Sequence, residues 1–132
     1  MPESRVSLRT DEGATHHFAV KIAMTPAQRS AGFQHICSKW VQDWGVLFVF
    51  PTSQRSTFHM RNVREDLDIA FIAEDGRILE LEKMSREVSS GGGRSYHANQ
   101  PYRYALEVVA GKLSALRLDE GSWWLILDPA WN

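Results

Sequence analysis

Gly45-Val46-Leu47-Phe48-Val49-Phe50-Pro51 is the stretch on which the fold turns. Its first six residues carry no polar side chain, and a proline closes the run. A half-buried strand alternates apolar and polar residues; a run apolar at every position belongs to a central strand covered on both faces. The run is far too short to cross a bilayer.

Upstream, residues 5–10 alternate charged and apolar side chains before the turn signal Asp11-Glu12-Gly13. Phe18, Val20 and Ile22 then fall on one face of a second strand, residues 17–23, so the two segments predict a hairpin. Thr25-Pro26-Ala27-Gln28 reads as a helix start: Thr25 caps, Pro26 suits the first helical position and Gln28 completes a capping box. Gly32 weakens that helix within about two turns.

Downstream, the strand is expected to stop at Pro51, with a loop over residues 52–56 and a short strand over 57–60. Arg61-Asn62-Val63-Arg64-Glu65-Asp66 is a turn, and residues 67–73 form a strand with Leu67, Ile69 and Phe71 facing one way. Glu74-Asp75-Gly76 signals a hairpin, from which residues 77–84 return with Leu79 and Leu81 opposite Glu80 and Glu82. The Gly/Ser-rich segment near 89–95 is expected to be a mobile surface loop. Residues 103–110 make a strand, 111–118 a turn or short helix, and 123–127 a last strand. The sum is one domain over residues 1–132, mainly β, its largely antiparallel sheet curled toward a small barrel with one or two short helices.

The composition of the 132 residues, 43% apolar and 23% charged, is that of an ordinary globular protein. A net charge of −1, with no Lys/Arg cluster in the linear sequence, argues against nucleic acid as partner. The single cysteine, Cys37, makes no internal disulfide. The polar N-terminal residues precede no apolar segment, so the expectation is a soluble protein that stays in the cytoplasm, with no membrane partner.

Five segments in order resemble domain-of-unknown-function family 192. They are Gln28-Arg29-Ser30-Ala31-Gly32, Gly45-Val46-Leu47-Phe48-Val49-Phe50, Phe58-His59-Met60-Arg61-Asn62-Val63, Leu67-Asp68-Ile69-Ala70-Phe71-Ile72 and Tyr104-Ala105-Leu106-Glu107-Val108-Val109-Ala110-Gly111. The resemblance runs from about Phe18 to the final strand and implies a compact β-rich fold with small helices. It implies no activity. Members of that family commonly carry Trp where His59 stands, and many carry an export signal.

His59, Asn62, Asp68 and Glu107 are the polar candidates for a ligand-binding pocket. Asp68 shares a strand face with Ala70 and Ile72, and Glu107 lies between Ala105 and Val109 on its own. A carboxylate among apolar neighbours takes a partner or shifts its pKa upward, which suits acid–base work. In a small enzyme His59 would be the base and Glu107 or Asp68 its orienter. The plainer alternative is a structural role, with both carboxylates bonded to loop backbone or to Arg61 and Arg64. Among the five histidines, His16 and His17 point to opposite strand faces, and no His/Cys pair has the spacing of a zinc motif, so no metal is expected. Cys37 with His35, His59 or His97 as base is a weaker candidate than a cysteine that simply packs. The triple glycine before Arg94 lacks the Gly-Lys-Ser/Thr ending of a phosphate loop, and no cofactor is expected.

The tryptophans remain. Trp40 and Trp44 are spaced as on one helical face, Trp123 and Trp124 must face opposite ways, and Trp131 lies in the tail. Trp40, Trp44 and Trp124 are therefore candidate interface residues, against the alternative of core and edge packing. With no catalytic motif, the first expectation is a non-enzymatic binding or assembly module for a protein or glycan partner, an accessory component of a virion or other assembly included. The alternative is the small enzyme or ligand-binding protein with the polar pocket.

Overall fold

The computed structural model describes residues 1–34, 36–86, 94–118 and 122–127. Strands β1 (Glu3–Thr10) and β2 (Thr15–Ala23) form the expected hairpin, turning at Gly13 with φ +93°. Helices α1 (Pro26–Ala31) and α2 (Ser38–Asp43) carry the chain to β3 (Gly45–Gln54). Then come β4 (Phe58–His59), β5 (Leu67–Ile72), β6 (Ile78–Met84), β7 (Ser95–Tyr96), β8 (Tyr102–Val109), a 3-10 turn (Ser114–Leu116) and β9 (Trp123–Ile126).

Seven strands make one sheet in the order β6-β5-β8-β3-β2-β1-β9, antiparallel except where β2 and β3 run parallel. A parallel pair needs a crossover, and α1 with α2 supplies it. The sheet curls until its two edges touch. Trp124 of β9 bridges Arg77, and Leu125 donates its N–H to the Gly76 carbonyl at 2.7 Å. At that seam Gly76 has φ +94°, and a Cβ would lie 2.9 Å from the Leu125 carbonyl oxygen. Gly76→Ala therefore combines left-handed strain with a backbone clash. Its expected cost is about 3 kcal/mol, read as a lowered urea midpoint at unchanged slope.

The inner face of the curl holds apolar residues from all seven strands, among them Leu8, Ile22, Leu47, Ile72, Leu106 and Leu125. The outer face of β3, β5 and β8 is covered by a second layer: Phe33, Val41, Met60, Val63, and the two-stranded β4–β7 sheet with Phe58 and Tyr96. This is why residues 45–50 and all of β5 are buried on both sides.

Most strand ends fall within two residues of expectation, but the stretch 51–60 differs in kind. β3 does not stop at Pro51 but continues to Gln54, leaving less of the 52–56 segment as loop. Its pairing with β8 shifts register between Val49 and Gln54, and exposed Pro51 sits in that irregular stretch, where a strand tolerates a residue with no N–H. The strand over 57–60 is only Phe58–His59 and belongs to the small sheet, whose partner β7 is too short to show alternation. The capping box is present in full, Gln28 N–H donating to Thr25 Oγ1 and the Thr25 N–H to Gln28 Oε1, both at 3.1 Å. Residues 89–93 of the expected loop, His35 and Trp131 lie outside the described residues.

Candidate functional site

β8 alternates strictly between the two layers. Leu106 and Val108 join the inner core, while Ala105 and Val109 pack with the outer one. Glu107 therefore points to the outer layer, in register with Val46 of β3 and Ile69 of β5. It is only 4% exposed, and no residue among those described donates a hydrogen bond to it. Burial pushes its carboxyl up to about 8, so it is mostly protonated at neutral pH.

Glu107 borders a cavity of about 560 Å³ between α1, β3, β4 and β8. Phe33, Phe48, Phe50 and Phe58 contribute walls, and Arg29 and His59 border it too. Phe48 and Phe58 meet edge to face at 5.0 Å. The chain leaves α1 at Gly32, φ +45°, where an added Cβ would lie 3.1 Å from Phe48 Cζ, so glycine lets the helix end close onto that ring. Arg29 is held beside the opening. Its guanidinium lies 5.0 Å from the Phe50 ring, and Nη1 donates to the Val49 carbonyl at 3.1 Å. Below it, Tyr102 donates its hydroxyl to the Ser56 carbonyl. Burial pushes that phenol up to about 12, against a lowering by Gln54 and with a further lift from the Glu107 charge.

Of the four polar candidates, His59 and Glu107 border the same cavity. His59 is exposed, and its Nδ1 accepts the Arg61 N–H at 3.2 Å, which places the proton of the neutral ring on Nε2. Asn62 is exposed in the left-handed region at φ +60°, a conformation asparagine adopts more readily than most residues. It donates to Gln34 Oε1 at 3.2 Å, and Gln34 borders the cavity. Asp68 is not part of this group. It faces the inner side of β5, where its Oδ2 accepts the N–H groups of Gly111, Leu113 and Ser114 and the Ser114 hydroxyl, at 2.9–3.1 Å. Its carboxylate fastens the turn after β8.

The aromatic candidates separate as well. Trp40 lies on α2 and is 47% exposed; Trp44 caps that helix, and the two rings stack at 6.4 Å. Lys21 Nζ lies 5.1 and 5.0 Å from their centroids and 3.1 Å from Glu3 Oε1. Trp124 is half-buried at the seam, its Nε1 donating to Asp11 Oδ1 at 2.9 Å. Cys37 is exposed beside Trp40 and Lys21. Among the described residues no three His, Cys, Asp or Glu side chains come together as a metal site, and no helix is long and apolar enough to cross a membrane.

Sequence reasoning missed Arg29, Phe33, Phe48, Phe50 and Phe58 as site residues. Phenylalanines around a cavity have the same sequence signature as phenylalanines in a filled core, so spacing held no signal for them.

The model of the uncharacterized ACR family, domain-of-unknown-function family 192, matches residues 7–124. The chain belongs to this family. Every residue named around the cavity lies inside the family 192 match. The fold is similar to that of a protein from Sinorhizobium meliloti 1021 provisionally named a transcription regulator, at 30% identity and TM-score 0.81, over 95% of this chain and 93% of that one. It is also similar to a protein of unknown function from Novosphingobium aromaticivorans DSM 12444, at 23% identity and TM-score 0.77, over 95% and 85%. No curated protein matches the chain in sequence.

Proposed function

We propose that this family 192 chain binds a small organic ligand in the phenylalanine-walled cavity, with Glu107 as its polar recognition group. Glu107 carries this reading. Among the described residues two carboxylates are buried, at 2% and 4% exposure. Asp68 accepts four hydrogen bonds and secures a turn; Glu107 accepts none from the described residues and borders the cavity. A buried group that opposes folding and fastens none of the described residues fits a binding function better than a structural one. No carboxylate among the described residues hydrogen-bonds the His59 ring, so the base-and-orienter arrangement of an enzyme draws no support from them. The provisional name of the S. meliloti relative is not extended to this chain, whose net charge is −1 and whose described α-helices are six residues each.

The test is NMR of the labelled chain titrated with fractionated small molecules from a cell extract. The expected result is shifts centred on Phe48, Phe58 and Glu107. Absence of any shift there across the fractions would remove the proposal.

A second reading keeps the binding module for a protein or glycan partner, on the exposed Trp40 stacked with Trp44 under Lys21. In that case Trp40→Ala lowers partner affinity by about tenfold or more while the thermal midpoint changes little, since an exposed aromatic anchor contributes to binding rather than to the core. A partner titration followed by tryptophan fluorescence measures both.

A further inference from the structure

We propose that the ligand of the Glu107 cavity is an organic cation, an ammonium or guanidinium group carried on an apolar body. This rests on the ligand-binding reading above and names the chemistry of that site.

Three observations converge on it. The carboxyl of Glu107 is buried, borders the half-open cavity and receives no hydrogen bond from the described residues. No lysine, arginine or histidine among the described residues is bonded to it. Among the charged and titratable groups around it, Arg29 on α1 is engaged by Val49 and the Phe50 ring. His59 on β4 is exposed and tied to Arg61, and Tyr102 on β8 donates to Ser56. Lys39 and Asp43 of α2, the helix that packs on β8, are exposed. Lys112, beyond the end of β8, reaches the Gln42 carbonyl. The register neighbours on β3 and β5 are Val46 and Ile69, and burial is the cause that lifts the carboxyl to about 8.

The walls then decide the sign of the ligand. The neutral polar side chains of the lining, Ser30, Gln34, Thr52, Gln54, Ser56 and Thr57, serve either charge, whereas the phenylalanine rings present negative faces that favour a cation. An anion can accept a hydrogen bond from the protonated carboxyl, but the ring faces disfavour it. A cation gains the ring quadrupoles and, once Glu107 ionises, a desolvated countercharge. This protein already sets cations against rings at Arg29–Phe50, Lys21–Trp40 and Arg103–Tyr104. A neutral hydrogen-bond acceptor could take the carboxyl proton, but it would gain nothing from the rings.

Binding of a cation converts Glu107 from carboxylic acid to carboxylate and releases its proton to solvent. Affinity should therefore tighten with rising pH until the free protein is itself ionised, by up to about tenfold per pH unit between pH 6 and 8.

The experiment compares three matched probes on the full chain by calorimetry and NMR: 2-phenylethylammonium, 2-phenylethanol and 3-phenylpropanoate. The ammonium is expected to bind at least about tenfold tighter than the alcohol at pH 8. It should release close to one proton at pH 7, measured in buffers of different ionisation enthalpy, and shift Phe48 and Phe58. Glu107→Gln should bring ammonium and alcohol within about threefold of each other. Equal or stronger binding of the alcohol or the phenylpropanoate overturns the cation assignment and leaves the pocket as a ligand site, and a cation preference that survives E107Q overturns Glu107 as the group that recognises it. If none of the three shifts Phe48 or Phe58, the pocket proposal fails together with it.

Discussion

Glu107→Gln is expected to flatten the pH dependence of folding stability and to make the protein more stable than wild type at pH 8. In the native chain the carboxyl keeps its proton up to about 8, against an ordinary value of 4.5 for the exposed group. Between those values the unfolded chain has released a proton that the folded chain still holds, so wild-type stability falls as pH rises. The gap of roughly 3.5 pH units, at about 1.4 kcal/mol per unit, bounds the loss at about 5 kcal/mol. Below pH 4.5 the contribution is fully present; above about 8 it is gone. Gln cannot ionise, but its buried amide also lacks partners, so the expected gain at pH 8 is nearer about 3 kcal/mol. Urea melts of both proteins at half-unit steps from pH 4 to 9 measure it. Parallel curves would mean that the Glu107 carboxyl is not held protonated by burial.

Asp68→Ala is expected to act in the opposite direction, destabilising the chain by about 3 kcal/mol or more. The substitution leaves the amides of Gly111, Leu113 and Ser114 without their shared acceptor, and Leu113 is fully buried. Asp68→Asn keeps one oxygen in place and should lose roughly half as much, since a neutral acceptor bonds more weakly than a charged one. Hydrogen exchange locates the effect: the Leu113 and Ser114 amides should lose protection first. Ligand binding in the outer cavity should survive in folded Asp68→Asn, because Asp68 lies on the other face of the sheet. A parallel loss of both would connect Asp68 to the site after all.

The contrast between these carboxylates shows how far the sequence could be read. Asp68 and Glu107 each stand in an apolar strand, each between small or aliphatic neighbours, and strand periodicity assigns each to a face. It does not say what lies above that face. Asp68 meets the turn at residues 111–114, brought back over the inner side of the sheet; Glu107 meets a gap between α1 and β4. The difference is made by chain segments distant in sequence, so no local pattern around either residue carries it. His59 and Glu107 were legible as polar residues that could converge, 48 positions apart as numbered. Which residues would surround them was not.

What the sequence by itself determined is most of the elements and the β1–β2 and β5–β6 hairpins. Capping chemistry at Thr25 and Gln28, turn chemistry at Gly13 and Gly76, and apolar continuity over residues 45–50 are all local, and each has one low-energy solution. Tertiary structure alone decided the parallel β2–β3 pair, the seam at Gly76–Leu125, the β4–β7 sheet and the half-open cavity that β4 borders. Those features depend on which surfaces meet when the sheet curls. A phenylalanine gains from leaving water whether it fills a gap or borders one, and only the assembled chain distinguishes the two.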